Sequence, residues 1–148
     1  MRTLVTFRSS AFNTSEPRPH FINANCFGDD LARWVIEHLR TLGVSVDDAP
    51  RQEDFGWYFE FEVPDGKHCC VLGFRPMDDP SESNWVAWIE RSRGFLGSAF
   101  GLRKRGVALA AVSALHAVLA NHSEISNVRW HEQRDFDAAR EEFGTATP

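Results

Sequence analysis

The chain has 148 residues, a formal net charge of -5, 43% hydrophobic and 25% charged residues, a globular composition that excludes a disordered or fibrous chain. The negative balance argues against general nucleic-acid binding, which needs a basic surface to neutralise phosphates. Cys26, Cys69 and Cys70 are an odd set with two adjacent members, so a disulfide framework is not expected and a reducing cytoplasm fits.

No apolar run approaches the roughly 18 residues of a membrane span. Met1-Arg2-Thr3-Leu4-Val5 lacks the apolar core and small-residue cleavage site of a secretory signal, so the reading is a soluble cytoplasmic protein. Thr3-Leu4-Val5-Thr6-Phe7 alternates and is β-branched, which predicts a first strand. A polar segment with Pro17 and Pro19 follows, and its tail, His20 to Cys26, reads as a short strand or an ordered loop. Asp29 or Asp30 is expected to cap a helix. Leu31, Trp34, Val35, His38, Leu39 and Leu42 share one face of it, and Gly43 supplies a left-handed stop.

Val44-Ser45-Val46 predicts a brief extension, and Asp47 to Gln52, with Pro50, a polar connector. A β-hairpin comes next: Trp57, Phe59, Phe61 and Val63 face one way, Tyr58, Glu60 and Glu62 the other, and Pro64-Asp65-Gly66 makes the turn. The return strand, His68 to Phe74, puts Cys70, Leu72 and Phe74 on one face, and Trp85 to Glu90 gives a third antiparallel strand. After a glycine-punctuated stretch, Gly94 to Gly101, and the basic run Arg103-Lys104-Arg105, an alanine-rich helix is expected over about Val107 to Asn121. Val128-Arg129-Trp130 reads as a last strand, Asp135 to Phe143 as a brief polar helix, and residues 144–148 as a frayed tail of a single domain spanning 1–148.

The expected fold class is therefore α+β. It is a two-layer sandwich with one curved antiparallel sheet and two main helices on its apolar face, in the order β-α-β-β-β-α-β. That order is similar to the TATA-binding-protein-like arrangement, an analogy that carries no function.

Three groups of residues are candidates for chemistry. Glu53 and Asp54, followed by Trp57, read as an acidic-aromatic recognition patch at the mouth of the sheet, or equally as turn formers and a core ring. The glycine-rich loop with Arg103, Lys104 and Arg105 could hold a phosphate or another anion, although it matches neither phosphate-loop spacing; a solvated charge run is the plainer reading. Cys69 and Cys70 beside His68 suggest a nucleophile, but the alternation puts Cys70 with the core. His38 and His116 read as partnered residues at the core edge, and no zinc spacing, cofactor motif or metal set is present in the sequence. In a meander, Glu60 or Glu62 could approach Glu90 with Tyr58 or Trp88 alongside, a pair capable of acid-base work on a sugar, although alternating polar residues on an exposed face are the default reading.

Phe27 to Trp34, Glu53-Asp54-Phe55-Gly56-Trp57 and Trp88-Ile89-Glu90 together resemble small bacterial proteins of uncharacterised function that carry a Glu-Asp-aromatic-Gly-Trp step between a helix and a hairpin. The resemblance spans about Cys26 to Arg93 and implies no activity, cofactor or catalytic residue. The expectation is a non-enzymatic binding module for a protein or small polar ligand, using Glu53, Asp54 and Trp57 with Arg91, Arg93 and Arg103. The alternative is an anion-binding or carboxylate-dependent enzyme domain using the basic loop Arg103-Lys104-Arg105. Pairing of two copies through a sheet edge is compatible with either.

Overall fold

The computed structural model describes residues 1–92 and 106–148. The elements are β1 (Leu4–Arg8), α1 (Asp29–Thr41), β2 (Ser45–Val46), β3 (Arg51–Glu53), β4 (Gly56–Val63), β5 (Gly66–Phe74), β6 (Trp85–Arg91), α2 (Leu109–Ala120), β7 (Ser126–His131) and α3 (Gln133–Asp137), then a 3-10 turn at Glu141–Phe143. The protein is α+β. Its seven described strands form one antiparallel sheet in the order β2-β4-β5-β6-β1-β7, with β3 also on β4. No helix among the described residues is long and apolar enough to cross a membrane.

Strand alternation sorts the sheet into two faces. One row runs Trp57, Leu72, Ala87, Val5 and Trp130 across five strands, and a second runs Phe59, Cys70 and Ile89. All are buried in one cluster with Leu31, Val35 and Leu39 of α1 and Val112, Leu115 and Leu119 of α2. This apolar cluster is the main stabilising element, since each such side chain contributes about 1.5–3 kcal/mol on burial. The opposite face carries the rows Tyr58, Val71, Trp88, Leu4, His131 and Glu60, Cys69, Glu90.

Several local expectations change. Neither Asp29 nor Asp30 caps α1: Gly28 holds that position without a side-chain bond, and both aspartates lie in the first turn. Asp29 bonds His20 at 2.9 Å and Arg33 at 3.1 Å, while Asp30 accepts the first-turn N–H of Leu31 at 2.9 Å and the backbone N–H of Asn13 at 2.8 Å. Both still favour the positive end of the helix. At the other end Gly43 takes the expected left-handed turn, φ +80°. The connector of residues 47–52 runs into a strand, β3, because its backbone pairs with β4, and the Gln52 side chain binds the loop before α1, accepting the Ile22 N–H at 2.7 Å. That loop, with His20 to Cys26, is irregular and packs Phe12 on Trp85 and Phe21 on Trp57, sealing one end of the core. The segment read as a fraying tail is held at Thr145, which exchanges backbone hydrogen bonds of 2.7 and 2.9 Å with Trp130.

His68 fixes the start of α2. The ring is fully buried, donates from Nδ1 to the Gly66 carbonyl at 2.9 Å and accepts the Ala108 N–H at Nε2, 3.1 Å. Both bonds suit a neutral ring, and burial lowers its pKa.

Candidate functional site

The hairpin of β3 and β4 builds the site. Glu53 pairs with Gly56, which leaves Asp54 and Phe55 as a two-residue turn. Gly56 has φ +151°, and a Cβ there would lie 2.1 Å from the Leu72 carbonyl oxygen, so only glycine fits. The turn throws Phe55 across the sheet to Trp88, 6.1 Å between centroids. Gly73, on β5 beneath this path, presents no side chain and leaves the way open.

Trp88 stands half-buried on the face away from the core, its indole N–H donating to Glu90 Oε1 at 2.9 Å. That bond fixes the ring's orientation, with Phe55 against it. Beyond Trp88 lies a cleft of about 470 Å³ lined by Leu4, Val86, Trp88, Glu90, Gln133 and Phe136. Leu4, Val86 and Trp88 come from neighbouring strands, and α3 supplies Gln133 and Phe136. Among the described residues, Glu90 is the one formally charged residue of the lining.

The adjacent row places Cys69 between Glu60 and Glu90. Burial, then the negative charges of Glu90 and Glu60, push its thiol up to about 11, so it remains protonated at neutral pH and is no nucleophile. Cys70 is buried and pushed higher still, again chiefly by burial. On the flank, Arg51 lies 4.7 Å over the Tyr58 ring and bonds Asp47 at 3.0 Å. Under the far end of the face, His131 contacts Thr6 Oγ1 through Nε2 at 2.8 Å, while its Nδ1 is buried without a partner among the described residues. Burial lowers the His131 pKa.

The predicted patch divides. Glu53, at the end of β3, and Asp54, in the turn, are exposed, but Trp57 belongs to the core row, 3% exposed, donating its indole N–H to the Cys26 carbonyl at 2.8 Å. Its ring packs 5.4 Å from Phe21 and offers no surface to a ligand. Arg103, Lys104 and Arg105 lie outside the described residues, as does Arg93. Arg91 is committed to Asp65 at 2.9 Å and to the Gly106 carbonyl at 2.9 Å. Glu60 and Glu90 share a face with Tyr58 and Trp88 in the next row, but Cys69 of β5 stands between the two carboxylates. His38 donates from Nδ1 to the Trp34 carbonyl at 2.7 Å, and His116 accepts the Trp130 indole N–H at 3.1 Å. Among the described residues no three metal-ligating side chains converge.

Phe55, Leu4 and Phe136 are site residues that sequence reasoning missed. One signal was visible: Trp88 is a large ring on the outward phase of a strand whose inward residues, Trp85, Ala87 and Ile89, are all buried. Phe136 carried none, being the lone aromatic of a short polar helix. Comparison with protein-family models, with curated proteins and with solved structures finds no match to the chain.

Proposed function

We propose that the chain is a small binding module whose recognition surface is the sheet face opposite the core, centred on the Trp88 cleft. The observation that carries this reading is the construction of Trp88: braced by Phe55, hydrogen-bonded to Glu90, and left half-exposed above a cleft. A large ring held in one orientation at a partly open cavity is the usual make-up of a polar-ligand site. Asp54 shares the two-residue turn with Phe55, and Glu53 ends β3 just before it. The proposal takes both long helices as one layer over the apolar sheet face, a reading supported by the single core they share with it.

Binding without chemistry is the better reading of the same residues. The Cys69 thiol is held protonated, and Glu90 is tied to the Trp88 indole. Glu60 lies 3.7 Å from the Arg51 guanidinium. A residue held by its neighbours in this way suits positioning more than proton transfer.

The test is a protein-observed NMR screen with a few hundred fragments of mixed charge. Hits are expected to move the Trp88 indole resonance and the amides of Val86, Glu90 and Phe136, and to disappear in Trp88→Leu. Hits that cluster elsewhere on the chain, or that survive Trp88→Leu, overturn the assignment.

A further inference from the structure

We propose that the Trp88 cleft accepts an alkylammonium group, a cation on a short apolar stem. The inference rests on the binding reading above and names its ligand class. Leu4 and Val86 floor the cleft, Trp88 and Phe136 give it aromatic walls, and Glu90 and Gln133 are its polar groups. Apolar walls suit the stem, and aromatic faces attract a cation through their quadrupole. Among the described residues Glu90 puts the one formal charge of the lining at the same place, and it is negative.

Two neighbouring observations point the same way. The row beside the cleft holds Glu60 and Glu90 on either side of Cys69, whose thiol is pushed up by burial first and then by these two charges, with Arg51 opposing them. Phe136 holds a cation of the chain itself, the Arg75 guanidinium, 5.4 Å from its centroid. The charge of Arg75 is taken up by both oxygens of Glu141, so it does not cancel Glu90. Glu90 makes no ion pair among the described residues, and one of its oxygens is not used by the Trp88 indole. An anion would meet the negative charge of Glu90 directly, and a neutral ligand would gain nothing from it.

The test titrates 15N-labelled full chain with n-butylammonium, n-pentanol and butyrate at constant ionic strength, since a single charged contact is screened by salt. The Trp88 indole and Glu90 amide should saturate with n-butylammonium at a concentration about tenfold below that for n-pentanol, and butyrate should leave them unmoved. Glu90→Gln keeps an oxygen for the indole N–H and removes the charge; it should erase the preference for the ammonium while the fold is retained. Equal binding of n-pentanol, or an unchanged preference in Glu90→Gln, overturns the ammonium class and leaves the site standing. No response of these resonances to any of the three compounds removes the site as well. N-acetyl-lysine amide, run beside n-butylammonium, separates the sources: tighter binding of the amide assigns a lysine side chain, and tighter binding of n-butylammonium a free amine.

Discussion

Phe55 and Trp57 have the same parity in sequence, and strand alternation carried back from Trp57 would bury both. They end on opposite faces, Trp57 in the core and Phe55 against Trp88. Gly56 reverses the direction between them with a backbone geometry that leaves no space for a Cβ. Replacement of Gly56 by alanine should therefore cost more than about 2 kcal/mol, through a backbone clash and a strained φ together. Urea unfolding of Gly56→Ala beside Phe55→Ala checks this: Phe55, 58% exposed, should cost less than about 1 kcal/mol. Equal losses in the two variants would show that the turn is held by the Phe55 contact and not by the glycine.

At the scale of elements, the β2–β3 edge shows how a short interruption can be closed by one carboxylate. Between these strands the chain leaves the ladder, and Asp47 fills the gap. Its N–H donates to the Glu60 carbonyl at 2.9 Å, its Oδ2 accepts the Glu60 N–H at 2.8 Å, and Arg51 holds the same oxygen. Asp47→Ala leaves the Glu60 amide unpaired, and a loss of about 1–3 kcal/mol is expected. Amide hydrogen exchange at Glu60 should accelerate in that variant while Phe59 and Phe61 remain protected; uniform acceleration along β4 would show that Asp47 does no local work. The elements themselves were largely legible. The β4 alternation, the Pro64-Asp65-Gly66 turn and the apolar faces of α1 and α2 follow from side-chain period and turn chemistry. What was not legible depends on contacts distant in sequence: the Phe55–Trp88 pair requires the register of β5 on β6, and the placing of Phe136 requires α3 to return over β1. Trp57 reads equally as a core ring and a platform ring in sequence, because the two look alike there, and its burial decides for the core.

For the whole molecule, two buried histidines predict the acid side of the stability profile. His68 and His131 both have pKa values lowered by burial from the usual 6.5, so the folded chain resists protons that the unfolded chain accepts. Their stabilising contribution is fully present above about pH 6.5; it falls as pH drops from there toward the folded values, by at most about 1.4 kcal/mol per pH unit for each ring. Urea midpoints across pH 7.5 to 5 should decline in that window, and imidazole resonances of His68 and His131 should titrate below the usual 6.5. Normal titration midpoints for both would remove the histidine explanation of any decline. The sheet order carries a further consequence. β1 lies between β6 and β7, with Leu4 opposite both Trp88 and His131, although more than eighty residues separate Leu4 from the nearer of the two. On a ribosome, β1 emerges long before either neighbour exists. Its Val5 and Phe7 must remain unpaired until most of the domain has been synthesised, a period when a holding chaperone would find them accessible. The cleft then forms last, because its Phe136 wall follows β7, so ligand cannot assist the early stages of folding and can only stabilise the completed chain.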